Sequence, residues 1–299
     1  MKILFTLGGG IGNIIQATPT IKLVAESHHV DLLLFCNSSS DLAEILNLSC
    51  VGEVFINKAP DTKYDIQLRG PFTPNKKYNV DKYYSYQINY AQHIPETEVY
   101  YDLALQMGIY PTPLLPNPEI NVSTKKDNLN NAVVLYPGSK PNWAMKRWDK
   151  YDSLAERFEK VTIVGKEEDI KSHGDPTWIK KPWSWPENVR FRTGSLMEMA
   201  SYISNCKMFI GNDGGLSHVA AATGVPTYII FGPSSIVKNK PISPNAHAIG
   251  LSLPCKPCQF KKIDGKTVFD GNRSGCPYDM KCMKELTVDE VIRQINALQ

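Results

Sequence analysis

Two segments of this chain run an apolar stretch straight into clustered glycines and then into a helical pattern, and no other feature constrains the fold as strongly. In the first, residues 2–7 are apolar and strand-compatible, residues 8–12 hold the turn, and residues 14–25 carry helical apolar spacing. In the second, a short strand at 208–210 leads through Gly211-Asn212-Asp213-Gly214-Gly215 to a small-residue helix at 216–222. A strand that passes at once into a helix opens a βα unit of a parallel sheet. Glycines at such a turn let main-chain N–H groups come close to a ligand, and the helix start behind them is electropositive.

The alternation continues along the chain. Strands are expected at 30–35, 51–56 and 64–68, with a helix at 40–48. Residues 71–94 are rich in Tyr and Lys without a clear period and read as an excursion from the sheet toward a substrate. Residues 111–131 carry four prolines and then polar residues, which marks a linker. Beyond it, strands at 132–136, 161–164 and 227–231 alternate with helices at 150–159 and 195–204. A last helix at 288–298 follows Thr287 as N-cap, with Val291, Ile292 and Ile295 on its apolar side. A chain of 299 residues can bury two cores. The prediction is two doubly wound α/β domains, 1–125 and 126–299, facing each other across a cleft.

The 33 basic and 30 acidic residues leave a net charge of +3, which permits an anionic ligand without implying nucleic acid. No apolar run approaches the ~20 residues of a membrane-spanning helix. Gly8-Gly9-Gly10 interrupts the apolar start before it could serve as a secretory leader, so a cytoplasmic protein is expected, with a peripheral place at the inner membrane also open. Four of the seven cysteines, Cys255, Cys258, Cys276 and Cys282, fall within 28 residues. A CxxC pair closed by two later thiols predicts a tetrahedral metal site. Cys36, Cys50 and Cys206 read as ordinary buried cysteines. Lys238-Asn239-Lys240, and Lys256 with Lys261-Lys262, read as solvated basic patches, contact with an anionic acceptor being the alternative.

The first glycine loop lacks the third glycine of the dinucleotide fingerprint, so nicotinamide binding is not expected. The second segment places Asp213 at a strand end and His218 one turn into the following helix, toward one crevice. Taken together, Gly9-Gly10-Ile11-Gly12-Asn13-Ile14-Ile15-Gln16-Ala17-Thr18-Pro19 and Gly211-Asn212-Asp213-Gly214-Gly215-Leu216-Ser217-His218-Val219-Ala220-Ala221 resemble glycosyltransferase family 9, the ADP-heptose heptosyltransferases. Lys146-Arg147-Trp148 resembles the family's Lys-x-Trp element, and Val164-Gly165-Lys166-Glu167-Glu168 its Gly-x-Glu element.

The resemblance implies a GT-B architecture, with the acceptor on the N-terminal domain and the nucleotide sugar on the C-terminal one. It implies inverting transfer of a heptose or related sugar from a nucleotide-diphosphate donor, ADP-heptose foremost, to a hydroxyl of a glycan, a protein or another polymer, with no catalytic divalent metal. Lys146 would meet the phosphates, Glu167 the nucleoside and Asp213 the heptose hydroxyls. Gly214 and Gly215 would offer amides to the diphosphate beside His218, and Gly10, Gly12 and Ser139 complete the candidate set. Similar cysteine sets in some family members imply structural zinc or iron, and an oligomer is compatible.

Two positions depart from the pattern. Gly214 stands where Ser or Thr is usual. Asn13 stands where the family has an Asp that acts as the base, and an amide cannot take up a proton at neutral pH. Either another group is the base, or the chain is a weak or binding-only relative, or the amide replaces a native Asp. A nucleotide-sugar epimerase on the same architecture and a non-catalytic nucleotide-sugar binding protein are the rival functions.

Overall fold

The computed structural model describes residues 1–36, 39–86, 94–111, 113–122, 131–171, 182–259, 261–263, 266–267 and 276–299. The chain divides into two compact units, Met1–Ser123 with Pro241–Ser243, and Thr124–Lys240 with Pro244–Gln299. Much of the expected linker, residues 112 and 123–130, lies outside the described residues.

The first unit runs β1 (Lys2–Gly8), α1 (Ile11–Ile15), α2 (Thr18–Ala25), β2 (His29–Phe35), α3 (Ser39–Ile45), β3 (Val54–Ile56), β4 (Tyr64–Arg69), β5 (Val80–Ser85) and α4 (Glu96–Gln106). Its sheet is parallel, in the order β3-β2-β1-β4-β5. Residues 3–8 of β1 are all buried, as a near-continuous apolar run between two helix layers requires. The chain reverses direction across the sheet between β1 and β4, so the loops leaving their carboxyl ends flank a crevice where open α/β sheets hold ligands.

The expected helix at 14–25 is in fact two helices. Pro19 lies in the first turn of α2, where its missing N–H costs nothing, whereas inside one continuous helix it would remove a bond. Residues 71–94 hold β5, an edge strand of the sheet, so the excursion reading is corrected for 80–85; residues 87–93 lie outside the described residues. The helix α4 and, in the second unit, strands at Val189–Arg192 and Ala246–Ile249 were not expected.

The second unit runs β6 (Val133–Tyr136), a 3-10 helix (Pro141–Lys146), α5 (Tyr151–Ala155), β7 (Val161–Val164), α6 (Glu167–Lys171), β8 (Val189–Arg192), α7 (Leu196–Ser204) and β9 (Met208–Asn212). It continues through α8 (Gly215–Thr223), β10 (Thr227–Ile230), α9 (Ile236–Asn239), β11 (Ala246–Ile249), α10 (Lys281–Lys284) and α11 (Val288–Leu298). Its parallel sheet has the order β11-β10-β9-β6-β7-β8, with the switch point between β6 and β9. Ser195 caps α7 in a reciprocal capping box with Glu198, and Thr287 caps α11 by accepting the Glu290 N–H at 3.1 Å. Val291 and Ile295 seat α11 on the core.

That core centres on Trp148, fully buried, edge-on to Tyr151 at 5.3 Å, with its Nε1–H donating to the Leu286 carbonyl at 3.0 Å. Trp148→Ala is therefore expected to lower the unfolding free energy by about 3–5 kcal/mol, read by urea denaturation of the isolated variant; a loss under 1 kcal/mol would show that the core closes over the gap.

Candidate functional site

In the second unit, side chains converge where β6 and β9 end. Asn212, wholly buried at the end of β9, accepts the Trp148 N–H at 3.1 Å and the Tyr151 hydroxyl at 3.0 Å. Its amide N–H groups donate to the carbonyls of Pro137 at 2.7 Å and Gly138 at 3.3 Å. This joins the loop after β6 to the loop after β9. Arg147, buried, donates to the Ser139 carbonyl at 2.7 Å, the Ser139 hydroxyl at 3.2 Å and Asp169 at 2.6 Å, which fixes the curve from 139 to 147.

Lys146 emerges from that curve and donates to Asp213 Oδ2 at 2.6 Å, with its side chain 12% exposed and that of Asp213 4%. Its ammonium also lies 4.9 Å over the Trp143 ring. Asn239 Nδ2 donates to the same carboxylate oxygen at 2.9 Å. Burial works to raise the Asp213 carboxyl, but the Lys146 charge and hydrogen bond overcome it and hold it below the usual range. His218 is buried one turn into α8, and among the described residues its Nδ1 has no hydrogen-bond partner. Burial pushes its imidazole down to about 4, against the pull of Asp213, so it is neutral at pH 7.

Gly214 N-caps α8 without a side chain, and no acidic residue occupies the first turn, so the helix start presents bare amides at the switch point. A Cβ at Gly214 would stand 3.0 Å from Tyr136 Cε1, a tight approach to the tyrosine ring. Lys146, Ser139, Asp213, Gly214, Gly215 and His218 thus share one end of one sheet. Glu167 begins α6 after β7, its side chain 70% exposed and paired with Lys171 at 2.9 Å, with no bond to that group.

In the first unit the loop after β1 ends at Gly10, and Gly12 and Asn13 lie in the first turn of α1. Gly9 takes a left-handed φ of +97°, and a Cβ on Gly8 would fall on the Phe72 carbonyl from the loop after β4. Gly10 is the N-cap of α1, and its N–H donates to Asn13 Oδ1 at 2.7 Å. Asn13 Nδ2 donates to Glu96 Oε1, and Gln16 Nε2 lies 3.5 Å from Glu96 Oε2. Glu96, 3% exposed, escaped sequence reasoning: it is separated from Asn13 by 83 positions and opens a helix with no marked apolar stripe.

Cys255, Cys258, Cys276 and Cys282 line one small cavity of about 20 Å³, space for a single water-sized occupant. All four are free thiols. Burial, with the neighbouring sulfurs adding to it, pushes Cys258 up to about 11 and Cys282 up to about 12. Among the described residues no three His, Cys, Asp or Glu side chains are arranged to hold an ion as they stand. Cys36, Cys50 and Cys206 are half-buried, a correction to the buried reading. The basic patch at 238–240 is also corrected: Lys238 and Asn239 are buried, and Lys256 turns its ammonium onto the carbonyls of Phe231 and Leu251, both at 2.9 Å. Among the described residues no helix is long and apolar enough to cross a membrane.

A family model described as "Glycosyltransferase family 9 (heptosyltransferase)" matches residues 110–267, more than half of the chain. The chain belongs to glycosyltransferase family 9. Its members are glycosyltransferase enzymes. Lipooligosaccharide heptosyltransferase 2 of Campylobacter jejuni is 33% identical over 106 residues, covering 35% of this chain and 29% of that protein. The chain spans less than half the length of the curated relatives it matches. Among solved structures, E. coli ADP-heptose LPS heptosyltransferase II aligns over 100% of this chain and 98% of its own, with a TM-score of 0.68 at 19% identity. TibC of enterotoxigenic E. coli, an iron-containing dodecameric glycosyltransferase, aligns over 99% and 75%, with a TM-score of 0.67 at 15% identity. The architecture expected from the family 9 resemblance is therefore present: GT-B, with two α/β units each built on a parallel sheet.

The buried His218 makes stability depend on pH. In the unfolded chain it titrates near 6.5 and in the folded chain at about 4, so as pH falls the unfolded chain takes up the proton first. Its contribution is full above about pH 6.5 and declines by about 3 kcal/mol toward pH 4. Asp213, lowered instead, contributes fully above its unfolded value of about 3.9 and leaves that window clear. His218→Gln should flatten the acid-side slope in urea unfolding between pH 4 and 7; an unaltered slope would exclude His218 as its source.

Proposed function

We propose that the protein is an inverting glycosyltransferase that moves a heptose or related sugar from a nucleotide-diphosphate donor, ADP-heptose foremost, to a hydroxyl on a glycan, a protein or another polymer. The observation that carries the reading is the Lys146–Asp213 pair beside the bare amino end of α8, at the switch point of the second sheet. The leaving nucleoside diphosphate gains negative charge as the glycosidic bond to its phosphate breaks. An ammonium and a row of free N–H groups held rigidly in a partly dry site stabilise that charge most at the transition state. Ionised Asp213 orients Lys146 and is itself suited to accept from sugar hydroxyls, while neutral His218 brings no second charge to the phosphates. Exposed Glu167, on the carboxyl edge of the same sheet, is suited to a nucleoside hydroxyl. The lipopolysaccharide and lipooligosaccharide heptosyltransferases among the relatives favour a glycan acceptor.

The four clustered thiols fit a structural zinc or iron ion. They share one ion-sized cavity, and Cys258 and Cys282 are held protonated by burial and by one another, a penalty that a bound cation would reverse by stabilising thiolates. An ion there would tie residues 255–258 to α10. Metal analysis is expected to give about one equivalent, and chelation to lower the melting temperature; a metal-free preparation with all four thiols open to alkylation in the folded state would reject it.

Lys146→Ala is expected to weaken ADP-heptose binding by about 1.5–3 kcal/mol, the range for a hydrogen bond to a charged group. Calorimetry with ADP-heptose and with UDP- and GDP-sugars as alternatives tests this; unchanged affinity in a folded variant would remove Lys146 from the sugar-donor site.

A further inference from the structure

The first unit contains a carboxylate that the transfer reading has not used. Among its described residues the buried acids are Asp31 and Glu96. Asp31 lies near the amino ends of the strands, where His29, Tyr64, Lys2 and the Glu53 N–H satisfy it. Glu96 lies at the opposite, carboxyl edge, bonded to Asn13 in the first turn of α1, the helix that follows β1 beside the switch point between β1 and β4.

The bonds around Asn13 have only one consistent direction. The Gly10 N–H can only donate, so it faces the amide oxygen; an ionised carboxylate can only accept, so it faces the amide NH2. Position 13 is therefore matched to a hydrogen-bond acceptor at position 96. An Asp at 13 would turn a second carboxylate onto the first, and two such groups cannot both ionise cheaply. Tyr100, one turn along α4, is raised well above its ordinary value by burial and by the Glu96 charge and stays protonated, so it does not compete as a base.

We propose that Glu96 is the proton acceptor for the attacking hydroxyl, with Asn13 as the residue that positions it. The inference rests on the transfer reading above. As the acceptor oxygen forms its bond to the anomeric carbon, the bond from that carbon to the diphosphate oxygen breaks, and the nucleoside diphosphate leaves with the electron pair. The hydroxyl proton passes to an oxygen of the Glu96 carboxylate, a group with about four lone-pair positions for accepting.

The test follows ADP release from ADP-heptose, in water alone and with an inner-core oligosaccharide or a serine peptide as acceptor, with ADP-heptose affinity measured separately by calorimetry. Glu96→Gln should slow turnover by about 10²-fold or more and abolish the acid limb of the kcat/KM profile, leaving ADP-heptose affinity within about threefold. Glu96→Asp, which keeps the charge, should retain that limb at reduced kcat. The exchange Asn13→Asp with Glu96→Gln preserves the hydrogen bond and moves only the charge, and it should recover at least about tenfold over Glu96→Gln alone. Glu96→Gln turning over within about threefold of the parent with the same acid limb would overturn the assignment and leave the transfer reading standing. A parent chain that neither binds nor consumes any nucleotide-diphosphate sugar would overturn the transfer reading, and this assignment with it.

Discussion

The second unit depends on the buried amide of Asn212. Its oxygen takes two donors from the segment that begins α5, and its nitrogen gives two bonds to the loop that leaves β6. Every polar atom of the side chain is satisfied in a place with no access to water, so removal of any one partner would leave a costly orphan. The result is a rigid joint between two strand ends. The ammonium of Lys146 and the carboxylate of Asp213 meet because that joint has already set the distance between their loops.

Such rigidity matters because the ion pair has little solvent to help it. Burying two charges costs more than their attraction returns unless geometry is good and further hydrogen bonds are present. Asn239 supplies one to Asp213, and Gln259 holds Asn239 in turn at 3.3 Å. Arg147 and Asp169 form a second buried pair, in which Arg147 is also held by the Ser139 carbonyl and hydroxyl. Through Asn212 these polar contacts are tied to Trp148 and Tyr151 of the hydrophobic core.

Elements with a strong local signal were legible from the residues. β7 runs over the four residues expected of it, and α11 begins after Thr287, because an apolar run or a cap with a periodic face declares itself within a few positions. β5 was hidden because an edge strand buries little: on it Val80 is buried, while Asp81, Lys82 and the tyrosines face outward or halfway. The residues of the Lys146–Asp213 site were visible as motifs, since glycines and a polar strand end lie next to one another in sequence. Their hydrogen-bond partners were not. The link from Asn13 to Glu96 crosses 83 positions, and the link from Trp148 to Leu286 crosses 138; only the folded topology brings such residues together.

The contact between Gly8 and the Phe72 carbonyl joins the loops after β1 and β4 into one mechanical piece. Phe72 itself is held at a φ of +61°, a left-handed conformation that a bulky residue adopts only when its surroundings impose it. Neither loop can therefore drift in sequence or length by itself: a side chain at position 8 requires a rerouted turn after β4, and a longer turn after β4 releases the space that keeps position 8 bare. Divergence of this region among related chains would proceed in paired steps, and a graft of one loop into another scaffold would need to carry the other with it.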